Sequence, residues 1–291
     1  MNTELTICWS ITAVCNLNCS YCFSLYENKV QEHMSDYLVK YTLNKLKEKS
    51  KENSIRLVIL GGEPTLYHNI IDVCEEALSF CRKVIVVTNG TQLDILKKIN
   101  RNVSIDFSYH GQNLDWFIKR IKEIQKYHYV QVLCVLDKDV LNNCIKLSDW
   151  CSKNCIYFEP IPLVNNVTEI AEEYDENILK SFKNNILYNI PEIGIKDSIS
   201  IYKYFKNYNE NDKLKVCNQT NIAIYSNGYT YPCCKTGQIK YKRHIEDPKS
   251  LQYKIICEHQ YCMKNRGCLD FAGWRQDPNG FLPWSNKQMQ S

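Results

Sequence analysis

The sequence predicts an α/β protein: an open, partial (β/α)6 barrel of the TIM type, followed by a small cysteine-rich unit. Three observations predict it. Six short apolar runs rich in β-branched residues recur along the first two thirds of the chain. Amphipathic stretches of helical period separate them, and such alternation means parallel strands covered by helices. After Leu163 the pattern breaks down, and six of the 16 cysteines regroup between Cys217 and Cys268.

The expected strands are Leu5–Thr12, Arg56–Leu60, Val84–Thr88, Val103–Ser108, Val130–Leu136 and Tyr157–Ile161. Val84-Ile85-Val86-Val87 has no polar alternation, as in a strand buried on both faces. The expected helices lie near Met34–Lys49, Asn69–Cys81, Gln92–Ile99, Asn113–Lys126 and Val140–Lys153, with Ile118, Ile121 and Ile124 marking a helical stripe. Thr168–Tyr188 reads as a further polar amphipathic helix with Thr168 as its N-cap. The stretch 197–215 reads as a connector. Tyr225-Ser226-Asn227-Gly228 has Asn-Gly at the tip of a hairpin, which would bring Cys217 and Cys233 together. The division expected is a core over 1–205 and a cysteine-rich unit over 206–291.

Composition narrows the function. The chain has 291 residues, 44% of them hydrophobic, enough for a sizeable core. Its net charge is +4, from 36 basic and 32 acidic residues, too balanced for nucleic acid or an anionic membrane as main partner. The first residues lack a basic segment followed by an apolar core, and no apolar run approaches the roughly 20 residues of a membrane span. A cytoplasmic protein is expected. Sixteen cysteines in a reducing compartment argue for metal rather than disulfides.

Sites in such folds lie at the C-terminal ends of the strands, and the motifs fall there. Cys15-Asn16-Leu17-Asn18-Cys19-Ser20-Tyr21-Cys22 follows the first strand and supplies three thiols as C-x3-C-x2-C. Iron–sulfur clusters are held by cysteine thiolates. Three ligands on a four-iron cubane leave one iron without a protein ligand, whereas zinc is more usually held by four ligands in paired spacings. With Tyr21 as the aromatic residue before the last cysteine, the pattern resembles the signature of the radical S-adenosylmethionine (SAM) enzymes. The resemblance implies a 4Fe–4S cluster on Cys15, Cys19 and Cys22 whose open iron binds SAM. It also implies reductive cleavage of SAM to a 5′-deoxyadenosyl radical that abstracts hydrogen from a substrate, with a flavodoxin- or ferredoxin-type electron donor as partner.

Gly61-Gly62-Glu63-Pro64 follows the second strand. Glycines allow close backbone approach, and a carboxylate suits an ammonium group; the resemblance implies that this loop holds the amino group of SAM. Tyr21 either packs on the core or, as the family implies, lies against the adenine. Asn89 and Ser108 are polar residues at the ends of the third and fourth strands, and the family implies a SAM contact from such a position. Thr-Asn-Gly is also an ordinary turn. His110 is either a substrate-side acid or hydrogen-bond donor or a loop histidine satisfied by backbone. Glu159 either faces the barrel interior or is solvated.

The second cysteine set reads Cys217, ten residues, Gly228, four residues, Cys233, then Cys234, Cys257, Cys262 and Cys268. It resembles the SPASM and twitch extensions of radical SAM enzymes. It departs from the full SPASM pattern: four residues separate Cys257 from Cys262, and Ala272 stands where the next cysteine belongs. The resemblance therefore implies one auxiliary 4Fe–4S cluster on Cys217, Cys233 and two of Cys257, Cys262 and Cys268. A structural zinc site is the alternative. Cys234 is a spare ligand or a hydrogen-atom donor to a product radical. The cysteines outside these groups, Cys155 among them, read as ordinary buried thiols.

The expected function is radical modification of a ribosomally made peptide by crosslink, thioether or epimerisation. The alternatives are radical dehydrogenation of a sugar or aminocyclitol, activation of a glycyl-radical or sulfatase partner, and a non-enzymatic iron–sulfur or zinc protein.

Overall fold

The computed structural model describes residues 4–19, 22, 32–162, 164–165, 169–170, 176–182, 187–190, 194–197, 216–217, 221–231, 242–252, 255–256 and 275–276. Six strands alternate with five helices over the first part of the chain. They are β1 (Glu4–Thr12), α1 (Asp36–Ser50), β2 (Ser54–Gly61), α2 (Ile70–Leu78), β3 (Lys83–Thr88) and α3 (Leu93–Lys98), continuing with β4 (Ser104–Tyr109), α4 (Leu114–Ile124), β5 (Val130–Leu136), α5 (Leu141–Lys153) and β6 (Tyr157–Pro162). All six strands expected from the apolar runs form, within two residues of their expected ends.

β1 to β6 pair in chain order, and every pairing is parallel. Right-handed crossovers that always advance to the next strand put every helix on one face of the sheet, which is the arrangement of a partial β/α barrel. Along β1, Leu5, Ile7, Trp9 and Ile11 join the main core beneath the helices, while Cys8 packs with Val58 and Ile85 in a second cluster on the opposite face. That inner face also carries buried polar residues: Ser104 and Asp106 on β4, Gln131 on β5 and Glu159 on β6.

The helices form where the sequence allows capping and a continuous apolar stripe. The Ser35 side chain accepts the Leu38 N–H to start α1, and Val39, Leu43 and Leu46 are buried beneath it. Asn113 caps α4 through the Trp116 N–H, and Phe117, Ile121 and Ile124 form its buried stripe, with Ile118 on the flank. The Phe117 ring meets Phe107 and Tyr109 of β4 edge-to-face, at centroid distances of 5.8 and 5.0 Å. Full burial of such a side chain stabilises by about 2–3 kcal/mol.

The rest comprises β7 (Val164–Asn165), β8 (Glu169–Ile170), α6 (Glu176–Lys180), β9 (Leu187–Ile190), β10 (Gly194–Asp197), β11 (Val216–Cys217), β12 (Asn221–Ile224), β13 (Tyr229–Tyr231), β14 (Arg243–His244), β15 (Ile255–Ile256) and β16 (Arg275–Gln276). The long helix expected over Thr168–Tyr188 does not form. Among the described residues there, Glu169–Ile170 pairs with Val164–Asn165, Glu176–Lys180 is helical, and Leu187–Ile190 pairs with Gly194–Asp197. Val164 and Ile170 are β-branched, which favours an extended backbone over a helix.

The hairpin at Asn227-Gly228 does form. Ala223 and Ile224 pair with Tyr231 and Thr230, and Gly228 takes φ +78°. A methyl group there would lie 2.5 Å from His244 Nε2, so both conformation and space require glycine. β12 runs parallel to β1, opposing Thr6 to Trp9, and so extends the barrel sheet to nine strands. Helix α1 clasps the turn after β14: Lys45 Nζ donates to the Ile245 carbonyl at 2.6 Å and to that of Asp247, and the Tyr37 hydroxyl donates to Glu246 at 2.8 Å.

Candidate functional site at the C-terminal rim

The loops that leave β1, β2, β3 and β4 at their C-terminal ends are joined into one rim. The loop carrying Cys15, Cys19 and Cys22 is closed at its neck. Ala13 N–H donates to Glu32 O at 2.9 Å and Met34 N–H to Ile11 O at 3.0 Å, while Thr12 Oγ1 and His33 Nδ1 lie 2.8 Å apart. Within the loop the Cys22 N–H bonds the Cys19 carbonyl at 3.0 Å, and the Leu17 N–H points at Cys15 Sγ at 3.4 Å.

Gly61 and Gly62 are needed because the β2 loop lies directly against this neck. Gly62 N–H donates to Thr12 O at 2.7 Å and Glu63 N–H to Val14 O at 2.8 Å. Gly61 has φ +139°, and a methyl group at Gly61 or Gly62 would overlap the Thr12 or Val14 carbonyl oxygen respectively. Pro64 then opens a short 3-10 turn capped by Glu63.

The Glu63 side chain is turned into the protein. Its carboxylate is 1% exposed and enclosed by donors of the chain itself. Oε1 accepts from Thr65 N–H (3.1 Å), Thr65 Oγ1 (2.5 Å) and Thr88 Oγ1 (2.7 Å), and Oε2 accepts from Asn89 N–H at 2.7 Å. Burial raises its pKa, while the hydrogen bonds from Thr65, Asn89 and Thr88 act in the opposite direction. It is a clamp between the loops after β2 and β3. Thr65 was not singled out from the sequence, and Thr88 drew attention only as part of a turn.

Asn89 is 4% exposed and reaches back to the cysteine loop: its Nδ2 donates to Asn16 Oδ1 at 2.9 Å. Its carbonyl accepts from Gln112 Nε2 at 3.4 Å. Gln112 in turn accepts the His110 N–H at 2.6 Å through Oε1 and the Tyr109 hydroxyl at 2.8 Å through its backbone oxygen. Asn16 and Gln112 therefore belong to the rim. Asn16 lies between the signature cysteines, a position that could have drawn attention to it. The His110 imidazole is half-buried, and desolvation lowers its pKa to about 4. Burial thus favours the uncharged imidazole at neutral pH.

Ser108 and Glu159 stand apart from this network on the inner wall. Ser108 opposes Leu133, and Leu133 opposes Glu159, so the two occupy one row across β4, β5 and β6. Glu159 is 2% exposed and faces the interior, not solvent. Tyr21, Cys233, Cys234, Cys257, Cys262 and Cys268 lie outside the described residues. Cys217 is described by its backbone, which pairs with Ile255.

The donor set fits a cluster of the expected kind. Among the described cysteines, Cys15, Cys19 and Cys22 are the half-exposed ones. Cys8, Cys74, Cys81, Cys134, Cys144 and Cys151 are buried, and Cys155, expected to be buried, is exposed. Burial raises the Cys15 pKa, and the charges of Glu63 and Cys22 raise it further against the opposing Leu17 N–H bond. Metal coordination deprotonates such thiols. Among the described residues no three His, Cys, Asp or Glu side chains converge as ligands of a single metal ion. A cubane does not require that convergence, because each thiolate binds a different iron.

Residues 9–138 match the family model of the radical SAM superfamily. The chain carries a radical SAM domain. This is the core domain of an enzyme superfamily, and it spans the cysteine loop and the rim formed by β1 to β4. The chain is 31% identical over 122 residues to an S-adenosylmethionine-dependent nucleotide dehydratase of Psychrobacter lutiphocae, covering 37% of this chain and 41% of that one. Among solved structures it is similar to Streptococcus suis SuiB bound to precursor peptide SuiA, with a TM-score of 0.57 and 18% identity over 96% of this chain and 66% of that one. It is also similar to anSMEcpe with bound AdoMet, with a TM-score of 0.60 and 16% identity over 93% and 80%. These similarities show the fold. The matches span less than half the length of the curated relatives. Among the described residues no helix is long and apolar enough to cross a membrane.

Proposed function

We propose that the protein binds a 4Fe–4S cluster through Cys15, Cys19 and Cys22 and uses SAM there to modify a substrate by radical chemistry. The observation that carries this reading is the joining of the cysteine loop to Gly61, Gly62, Glu63 and Asn89 at the C-terminal rim of a parallel barrel. When bound, the cluster and SAM supply a reductant and a 5′-deoxyadenosyl radical, the hydrogen-abstracting species. The chain's own part is to hold three thiols on a loop closed at its neck. The glycine backbones and the buried Glu63 clamp fix that loop, and the polar inner wall with Ser108 and Glu159 faces the space where a substrate would react. His110 contributes a neutral imidazole beside it.

A ribosomally made peptide is the preferred substrate. The fold match to SuiB, whose structure holds its precursor peptide, extends over 96% of this chain and supports this preference. A nucleotide is the second reading, favoured by the two nucleotide dehydratases at 31% and 33% identity over 122 and 121 residues. We further propose an auxiliary cluster on Cys217, Cys233 and two of Cys257, Cys262 and Cys268. The pairing of Cys217 with Ile255, two residues before Cys257 in sequence, supports including Cys257.

The test is release of 5′-deoxyadenosine by protein loaded with iron and sulfide without air, then reduced in the presence of SAM. Release by the wild type, and its loss in Cys15→Ala, Cys19→Ala and Cys22→Ala, is expected; intact SAM in the wild type would refute the reading. Co-expression with short open reading frames adjoining the gene should give a peptide of altered mass. Turnover of a nucleoside triphosphate instead would select the second reading.

A further inference from the structure

Three side chains on the rim form a closed ring of hydrogen bonds that all run the same way round. The Thr91 backbone N–H donates to Asn89 Oδ1 at 3.0 Å. A backbone amide can only donate, so this contact fixes which end of the Asn89 side chain is oxygen. Asn89 Nδ2 therefore faces the cysteine loop, where it donates to Asn16 Oδ1 at 2.9 Å. That contact orients Asn16 in turn, and its Nδ2 donates to Thr91 Oγ1 at 2.8 Å. The Thr91 hydroxyl closes the ring by donating to Asn89 Oδ1 at 2.7 Å. Asn89 Nδ2 also reaches Cys15 Sγ as a long donor, at 4.0 Å.

The ring joins two separately anchored loops. Asn16 lies between Cys15 and Cys19, whereas Asn89 is fastened through its own backbone N–H to the buried Glu63 carboxylate. Asn89 itself is buried and thus holds an amide dipole beside the half-exposed Cys15 sulfur, while Asn16 and its bond to Thr91 are exposed.

The geometry points to Asn89 as a positioning residue: through Asn16 and Thr91 it orients the Cys15 loop and holds an N–H dipole on the Cys15 sulfur, setting the reduction potential of a cluster bound there. This deepens the function proposed above and rests on it. Reduction adds negative charge to a cluster, and N–H groups directed at its cysteine sulfurs favour the reduced state, so they raise the potential.

The experiment is a redox titration, followed by electron paramagnetic resonance, of full-length protein carrying a reconstituted cluster. Asn89→Asp keeps the size of the side chain and an acceptor for Thr91. It replaces the donor facing Asn16 and Cys15 by a negative oxygen. At the wild-type midpoint its ratio of reduced to oxidised cluster should fall about three- to tenfold, tenfold corresponding to 59 mV for one electron. Asn89→Leu should shift in the same direction by less. Thr91→Val, which opens the ring and leaves the Asn89 amide in place, should shift least. Should Asn89→Asp assemble no cluster, the other two variants decide. Variants that melt lower but titrate at the wild-type potential would show a structural brace only and overturn this inference alone. A wild-type protein that assembles no cluster would overturn both this inference and the function on which it rests.

Discussion

Glu63 Oε2 accepts the backbone N–H of Asn89 at 2.7 Å, across 26 residues of sequence, and so ties the loop after β2 to the loop after β3. The glycines before Glu63 lie against the cysteine loop, and the side chain of Asn89 returns to it. The three loops brace one another, and a change in any one should be felt in the others.

Glu63→Gln tests this brace. An amide offers one acceptor oxygen where the carboxylate offers two, and it turns an N–H toward groups that are themselves donors. Each buried donor left unpaired costs about 1–3 kcal/mol. Denaturant unfolding of the metal-free protein should show a loss of about 2–3 kcal/mol. An unchanged midpoint would mean that the clamp contributes nothing to stability.

Gly62→Ala places a methyl group against the Val14 carbonyl. Main chain on both sides must move, at a cost of about 2 kcal/mol or more. The variant should bind less than half the wild-type iron after reconstitution, because Val14 leads directly into Cys15. Wild-type iron content together with wild-type stability would contradict the close approach.

His110 makes stability depend on pH. Its pKa falls from 6.5 to about 4 on folding because burial disfavours the imidazolium. Between those values the unfolded chain binds a proton that the folded one does not. Stability is therefore fully present above pH 6.5 and is lost as pH falls toward 4, by about 1–3 kcal/mol for a partly exposed ring. His110→Gln should flatten that part of the curve in thermal melts taken from pH 4 to 7. An identical slope in the variant would place the proton uptake elsewhere.

Lys45→Met removes the ammonium that bonds the Ile245 and Asp247 carbonyls. The turn after β14 should loosen, with roughly tenfold faster hydrogen exchange at the Asp247 and Ser250 amides, equivalent to about 1.4 kcal/mol of local stability. Exchange at the rates of the wild type would show that the turn holds without α1.

The barrel was legible because its determinants are local. Val84–Val87 reads as a buried strand and Ile118, Ile121 and Ile124 as a helical repeat, although in the structure Phe117 rather than Ile118 completes the buried stripe. Cys15, Cys19 and Cys22 were legible for the same reason, being close in sequence with a fixed spacing. What stayed hidden depends on contacts between distant segments. That Glu63 turns inward was not readable, because its donors Thr65, Thr88 and Asn89 converge only once β2 and β3 pair. Gln112 gave no signal of its own, and Asn16 only its place between the signature cysteines, since an amide's role is set by what faces it. The segment after Leu163 misled because Thr168–Tyr188 carries a helical pattern, while Val164 and Ile170 are drawn into a short ladder instead.

The central claim is that Cys15, Cys19 and Cys22 hold a cluster with one iron open to SAM. The most direct measurement is the electron paramagnetic resonance spectrum of the reduced, reconstituted protein before and after SAM is added. A 4Fe–4S signal is predicted whose g-values shift on adding SAM, and which loses that shift in a Cys15→Ala, Cys19→Ala or Cys22→Ala variant. A spectrum indifferent to SAM, or a shift that survives all three substitutions, would contradict it.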